Sequence, residues 1–164
     1  MDFIDLKAQQ SLIKKSLDNA IQKVRQISHS LLPPTLDLFG LEIAIEEFIS
    51  SIKTNFIIDL KTCFDLKTLQ KDQQLHLYRL IMEFINNSVK HSKGDLIRIE
   101  FGESKKSFNL KLSDNGIGFD YDKAIKKSGL GLKNFESRLN VLEADYSINS
   151  KSKGTMVNIV LYKS

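Results

Sequence analysis

The sequence predicts an α+β fold, a two-layer sandwich in which helices cover one face of a mixed β-sheet. Helical patterns come first along the chain and strand patterns follow, with one further helix inserted among the strands. Strict alternation of strands and helices is missing, and no Gly-x-Gly-x-x-Gly motif opens a helix directly after the first strand. A doubly wound parallel sheet is therefore disfavoured.

The first helix is predicted by a seam of residues that recur in alternating steps of four and three from Leu6 to Leu31, all of them apolar except Gln10. So narrow a seam is typical of a helix that pairs with others in a coiled coil or bundle. Pro33 and Pro34 remove two backbone donors and end this helix. We therefore expect a long N-terminal helix at residues 1–33, a connector at 34–40 and a globular domain at 41–164.

The globular domain is expected to begin with a helix and a strand. Apolar residues at 41–52 fall on one helical face, whereas residues 56–63 alternate roughly between apolar and polar. A longer amphipathic helix is predicted at about 71–91. Residues 96–101 and 108–113 then alternate as strands, and the polar turn between them predicts an antiparallel hairpin.

A glycine-rich loop follows the hairpin and leads into a helix predicted at about 132–142. Two last strands are expected near residues 146–150 and 155–162.

Composition excludes several classes of protein. No uncharged apolar run is long enough to cross a bilayer, and the N-terminus lacks the pattern of a secretory signal. We therefore expect a cytoplasmic domain, with membrane anchoring of the full-length protein left open. The net charge of +4 is spread along the chain rather than clustered among aromatic residues, so we expect no nucleic-acid partner.

Three segments carry residues suited to chemistry, and the first lies on the long helix. Its polar residues have offsets of zero, four, seven and eight and so share one helical face: Glu83, Asn87, Lys90 and His91. An amide oxygen on this face can hold a hydrated Mg²⁺, while a cation can hold phosphates. The alternative is a solvated helix face whose polar residues have no common role.

The second segment, residues 114–120, directly follows a predicted strand. Asp114 offers a carboxylate that can accept from an exocyclic amine, and Gly116 and Gly118 permit positive φ and close approach of a flat ligand. In the third segment, Gly129 and Gly131 precede a helix, whose free backbone amides attract phosphate. The alternatives are an ordinary Asp-Asn-Gly turn and a plain helix-entry loop.

Together and in this order, the three segments resemble the N box and the two glycine boxes of one ATPase superfamily. That superfamily includes gyrase, the heat-shock chaperones, histidine kinases and mismatch-repair proteins. Residues 87–91 (NSVKH) and 128–140 (SGLGLKNFESRLN) most resemble sensor histidine kinases of the nitrate-sensor and thermosensor type. The resemblance covers about residues 29–162 and implies a Bergerat-type ATP-binding sandwich with ATP and Mg²⁺ as its cofactors.

The resemblance also implies a role for each matching residue. Asn87 matches the Mg²⁺-binding asparagine, Glu83 the carboxylate proposed to orient or activate the attacking group, and Asp114 the aspartate that reads the adenine amino group. The other matches are phosphate-side positions, glycine-box residues that shape the pocket and its lid, and a threonine near the adenine: Lys90, His91, Gly116, Gly118, Gly129, Leu130, Gly131, Leu132 and Thr155.

The function implied is that of the ATP-binding catalytic domain of a two-component sensor histidine kinase. Residues 25–45 resemble the end of a second dimerisation helix and its connector, so the chain is expected to be a fragment. His29 is not expected to be the phosphoacceptor, because in this branch that histidine lies on the first helix and precedes an acidic residue. Expected partners are ATP, the helix carrying that histidine, a response regulator and a second copy of the full-length protein.

Two alternative functions are compatible with parts of this pattern. A serine kinase of the anti-sigma-factor type shares the three boxes. Such kinases lack a heptad helix ending in HSLLPP, whereas this chain has that sequence at residues 29–34. A nucleotide-free scaffold that dimerises through residues 6–31 is the second alternative, and the intact boxes argue against it.

Overall fold

The computed structural model describes residues 33–121, 123–124 and 130–163. The dimerisation helix expected at residues 1–33 therefore lies outside the described residues, except for Pro33. The longer helices and the strands have the following bounds: α1 (Pro34–Phe39), α2 (Leu41–Ser51), α3 (Lys71–Asn87), α4 (Leu130–Val141), β1 (Ile57–Lys61), β2 (Leu96–Glu103), β3 (Ser107–Asp114), β4 (Asp145–Lys151) and β5 (Gly154–Tyr162).

The strands form one mixed sheet in the order β1-β2-β3-β5-β4. β1 runs parallel to β2, and every other neighbouring pair is antiparallel. The predicted hairpin of β2 and β3 is confirmed, with Ile99 opposite Leu112 in its register. The last strand, β5, lies between β3 and β4, so the sheet is complete only when the C-terminal residues have paired on both sides.

Residue alternation separates the two faces of this sheet. On one face, Ile97, Ile99 and Phe101 of β2 are buried beneath the helices. On the other face, Glu100 and Lys111 lie directly opposite each other across β2 and β3, with 3.4 Å between carboxylate and ammonium. The predicted sandwich of helices on one face of a mixed sheet is confirmed.

The helical layer packs on the sheet through apolar side chains of α2, α3 and α4. Each fully buried large side chain contributes about 1.5–3 kcal/mol through removal of apolar surface from water. The helical members of the core are the following: Leu41, Ala44, Ile45, Phe48, Leu77, Tyr78, Leu80, Ile81, Phe84, Ile85, Phe135 and Leu139.

The connector expected at 34–40 contains a short helix, α1, which begins at Pro34 and buries Leu36. Gln74 of α3 fixes the start of the next helix, because its Oε1 accepts a hydrogen bond from the Leu41 amide at 3.1 Å. Its Nε2 donates to the carbonyl of Leu69 at 2.9 Å. This buried polar side chain is thus satisfied at both ends, as burial requires.

The long helix predicted at 71–91 changes form before its end. Regular α-helix stops at Asn87, and a π-helical turn continues through Ser88–Ser92. Lys93 then takes a left-handed conformation with φ of 57°, which ends the helix. The wider turn lets the carbonyl of Ser92 accept from the amide of Ile117 at 2.7 Å, and so joins the helix end to the loop after β3.

The α3–α4 contact is expected to weaken in acid because of His76. Burial lowers the pKa of His76, and the guanidinium groups of Arg138 and Arg79 lower it further against the opposing effect of Asp72. The folded pKa therefore lies below that of the unfolded chain, so the unfolded state binds the proton first. Stability should be fully present above about pH 6.5 and should fall as the pH drops below it.

The free energy of unfolding in urea, measured from pH 7.5 downwards, tests this expectation. The free energy of unfolding of His76→Gln should fall less steeply in acid than that of the parent. His91→Gln is the matched control, because it makes the same substitution at an exposed histidine. Identical slopes for the parent and His76→Gln would contradict the assignment.

Candidate functional site

A cavity of about 460 Å³ opens beside the C-terminal end of α3. Its volume falls within the range of small-molecule sites. Apolar side chains form much of its wall, and a few polar groups converge on it. The lining residues are the following: Phe84, Asn87, Ser88, His91, Ser92, Asp114, Gly118, Phe119, Tyr121, Ala124, Leu132, Phe135, Ile148, Thr155 and Val157.

Asp114, the last residue of β3, places a carboxylate in this cavity. Only 9% of the residue is exposed. One carboxylate oxygen accepts from the hydroxyl of Ser88 at 3.1 Å. The other accepts from the amide of Gly116 at 2.8 Å and, more weakly, from the amide of Thr155 at 3.4 Å. The carboxylate therefore connects the helix end, the loop after β3 and the start of β5.

The π-helical turn brings Ser88 and Ser92 to the cavity and to the loop beneath it. Gly116 packs on Ser92 so closely that a Cβ at Gly116 would collide with the Ser92 carbonyl oxygen and side chain. The reason for glycine here differs from the one expected, because Gly116 does not have a positive φ. Gly116 is required by close packing, whereas Gly118, with φ of +63°, meets the expectation of a left-handed backbone.

Asn87 and Glu83 form a pair on successive turns of α3. The Asn87 Nδ2 atom donates to the Glu83 carboxylate at 3.2 Å. Arg138 of α4 lies within electrostatic range of Glu83. Burial and Arg79 lower the pKa of Arg138, and Glu83 acts in the opposite direction. Glu83 thus lies between the amide that faces the cavity and a partly buried guanidinium on α4.

The structure brings six of the predicted site residues into the cavity wall. These are Asn87, His91, Asp114, Gly118, Leu132 and Thr155.

The other predicted residues are placed differently. Glu83, Lys90 and Gly116 do not line the cavity, although Glu83 contacts it through Asn87. Lys90 is exposed on the π-helical turn. Gly129 lies outside the described residues, while Leu130 and Gly131 begin α4.

Sequence reasoning missed two kinds of lining residue. Ser88 and Ser92 are small polar residues beside the recognised asparagine and histidine, and no periodic pattern marks them. Phe119 and Tyr121 form an aromatic pair whose ring centroids lie 6.1 Å apart. Two aromatic residues so close to a glycine loop are a signal that could have been used, because aromatic faces commonly wall small-molecule sites.

Comparison with known proteins identifies a family. The model of the family described as histidine kinase-, DNA gyrase B- and HSP90-like ATPase matches residues 72–164. The chain is 31% identical over 156 residues to sensor histidine kinase MctS of Rhizobium johnstonii, covering 92% of this chain and 33% of MctS. It is 30% identical over 151 residues to sensor histidine kinase ComP of Bacillus subtilis, covering 90% of this chain and 20% of ComP. The chain thus spans a third or less of the length of these two relatives.

Solved structures share the fold at lower identity. The histidine kinase domain of the Erythrobacter litoralis EL346 blue-light activated histidine kinase aligns with a TM-score of 0.60 at 17% identity, covering 73% of this chain and 60% of that one. The ATP binding domain of PrrB from Mycobacterium tuberculosis aligns with a TM-score of 0.58 at 18% identity, covering 76% and 91%. In the part of the chain that the structure describes, no helix has the length and apolar character needed to span a membrane.

Gly118 offers a test of the site's backbone. Replacement by alanine would strain a left-handed residue and push a Cβ into the carbonyl oxygen of Lys151. We expect Gly118→Ala to lower the free energy of unfolding by about 1–3 kcal/mol. Chemical denaturation measures this change directly.

Gly102→Ala is the matched control. The added Cβ there would meet only the Asn109 Cβ at an ordinary 3.9 Å. Alanine in a strand interior should then be neutral or stabilising by roughly 0.5–1 kcal/mol. Equal stability of the parent and Gly118→Ala would show that the loop can move away from Lys151.

Proposed function

Because the chain belongs to the family of histidine kinase-, DNA gyrase B- and HSP90-like ATPases, we propose that its cavity binds Mg²⁺-ATP for phosphoryl transfer to a histidine. The domain would then be the ATP-binding catalytic domain of a sensor histidine kinase. The observation that carries this proposal is the buried carboxylate of Asp114 in a largely apolar cavity.

The carboxylate of Asp114 supports adenine binding through its unused acceptor capacity. An ionised carboxylate has about four acceptor positions. Ser88, Gly116 and Thr155 supply three donors. The remaining position suits the exocyclic amine of adenine, and the apolar wall suits the faces of the base. A base with a carbonyl oxygen at that position would place two acceptors against each other.

Asn87 supports the binding of Mg²⁺. Because its Nδ2 atom donates to Glu83, the Oδ1 atom is the group that remains for a cation. Mg²⁺ commonly keeps several waters and takes only one or two protein ligands beside the phosphates. The described part of the chain contains no group of three or more histidine, cysteine or acidic residues that could hold a metal. One amide oxygen together with the phosphates fits this donor set.

The phosphates would lie between His91 and the start of α4. His91 lines the cavity and is exposed, so its imidazole can reach an anion at the cavity mouth. The backbone amides at the start of α4, from Leu130 and Gly131, lie at a helix N-terminus, which favours negative charge. The family resemblance adds Lys90 and Gly129 to this phosphate side.

Transfer would move the γ-phosphoryl group from ATP to an imidazole nitrogen. The bond between the β-phosphate oxygen and the γ-phosphorus breaks, the N–P bond forms, and the imidazole loses its proton. When it is bound, Mg²⁺ would neutralise the charge that develops on the departing ADP. Glu83 is proposed to orient the attacking group and holds Asn87 in place through their hydrogen bond.

The rest of the proposal concerns the whole protein. We assign residues 1–33 to a dimerisation helix, 34–40 to a connector and 41–164 to the catalytic domain. The phosphoacceptor histidine would lie on the first dimerisation helix of the full-length protein, which would be a homodimer, and a response regulator would receive the phosphoryl group. The domain would act in the cytoplasm.

The Mg²⁺ assignment predicts a specific loss in Asn87→Ala. The parent should bind ATP more tightly with Mg²⁺ than with a chelator, and Asn87→Ala should lose about tenfold or more of that Mg²⁺-dependent gain, the effect expected for an interaction worth roughly 1.4 kcal/mol. Calorimetric titration with and without Mg²⁺ measures both values.

Asn140→Ala is the matched control, because Asn140 is an exposed asparagine of α4 that does not line the cavity. It should bind like the parent under both conditions. Retention of the full Mg²⁺ effect in Asn87→Ala would remove Asn87 from the metal site.

The kinase assignment predicts the chemistry of the product. The chain is incubated with radiolabelled Mg²⁺-ATP and a separately expressed helical hairpin bearing a histidine followed by an acidic residue. Label should appear on the hairpin in an acid-labile, alkali-stable form, as expected for phosphohistidine. Acid-stable label on serine would support the serine-kinase alternative, and absence of nucleotide binding would support the scaffold.

A further inference from the structure

One contact in the cavity wall has no role in the function proposed above. The hydroxyl of Tyr121 donates to a carboxylate oxygen of Glu136 at 2.7 Å. This bond joins the segment that follows Gly118 to α4, between residues 15 positions apart in the chain. Both residues are partly buried. The bond is charge-assisted, so it constrains the tyrosine more than a neutral hydrogen bond would.

We propose that Tyr121, held by Glu136, is a positioning residue that fixes an aromatic wall against the nucleotide base. The proposal rests on the proposed function, since it concerns how the same cavity holds ATP. Tyr121 and Phe119 line the cavity together and form a ring pair at 6.1 Å and 44°. A flat base that reaches Asp114 would meet aromatic faces on this side, and such faces can stack on any nucleotide base.

The two residues that carry these rings are tied to opposite sides of the cavity. The amide of Phe119 donates to the Ser150 hydroxyl at 2.8 Å, and that hydroxyl is 2.9 Å from the hydroxyl of Thr155. The backbone of Phe119 is therefore fixed to the strands β4 and β5. Tyr121 is fixed to α4 through Glu136. The segment between them therefore spans from the sheet to the helical layer.

A tyrosine ring turns about two side-chain torsions, of which the second is soft. The hydroxyl oxygen lies on the axis of the second torsion, so its bond to Glu136 fixes the first torsion, and with it the position of the ring, before the ligand arrives. Without the bond, the first torsion is less restricted, and restricting it when the base binds costs affinity. The cost applies to ligands that carry a base. It does not apply to an anion that occupies only the phosphate side.

The experiment compares ATP with inorganic tripolyphosphate, both in the presence of Mg²⁺. Tyr121→Phe and Glu136→Ala should each weaken ATP binding by about fivefold, the fold-change for loss of a typical hydrogen bond. The inhibition constant of tripolyphosphate against a fluorescent ADP should stay at the parental value. The double variant should bind ATP no more weakly than either single variant, because the two changes remove the same bond.

Two further variants serve as controls. Glu136→Gln keeps an acceptor oxygen and should restore most of the affinity lost in Glu136→Ala. Tyr162→Phe removes a tyrosine hydroxyl that donates to Asp145 at 2.8 Å, at an exposed position that does not line the cavity. It should bind both ligands like the parent.

The outcomes separate this inference from the function on which it rests. A parent that does not bind ATP overturns the proposed function and with it the inference. A parent that binds ATP, with Tyr121→Phe binding equally well, overturns the inference alone. The positioning role would be replaced by a general structural one in either of two cases. One is an equal loss of affinity for ATP and for tripolyphosphate, and the other is a Glu136→Gln variant that binds ATP as weakly as Glu136→Ala.

Discussion

The buried carboxylate of Asp114 is the constraint on which the arrangement of the cavity depends. A charge with only 9% of its residue exposed must be compensated, because burial of an unpaired carboxylate is costly. The compensation comes from three separate parts of the chain: Ser88 on the π-helical turn, the amide of Gly116 and the amide of Thr155. Each donor must therefore be held at its position, and the helix end, the glycine loop and β5 become mutually dependent.

This dependence accompanies one irregular feature of the backbone and one position at which only glycine fits. The helix widens after Asn87, where a regular α-helix would have continued. The wider turn accompanies the contacts of Ser88 with Asp114 and of the Ser92 carbonyl with Ile117. Gly116 then lies directly on Ser92, where a larger residue has no room. Irregular backbone at this point is thus a consequence of satisfying one charge and one carbonyl.

Much of the fold could be predicted from the sequence because its signals are local. The alternation in β2 and β3 and the polar turn between them specify a hairpin without information from elsewhere in the chain. Helix α1 was not predicted, because six residues that begin at a proline carry no periodic signal and are stabilised by burial of Leu36 in the core. The position of β5 between β3 and β4 was also beyond prediction, since it depends on pairing between distant segments.

The site was predictable where a residue has a distinctive chemistry and a distinctive neighbourhood. Asn87 and Asp114 were found in this way, and both line the cavity. The prediction that Lys90 shares the polar face of Asn87 assumes regular α-helical geometry. Residues 88–92 form a π-helical turn instead, so that geometry does not apply to Lys90. Ser88 and Tyr121 were missed because their importance comes from partners at positions 114 and 136, which no local pattern reveals.

The central position of β5 limits how far the domain can fold during its synthesis on the ribosome. Thr155 opens this strand, which pairs with β3 on one side and β4 on the other. A nascent chain that has completed β3 already carries Asp114, but one of the donors to its carboxylate has yet to be synthesised. Strand β5 must also insert between β3 and β4, which precede it in the chain, and non-local pairing of this kind slows folding. The full set of donors to Asp114 is therefore complete only after residues 154–162 have left the exit tunnel.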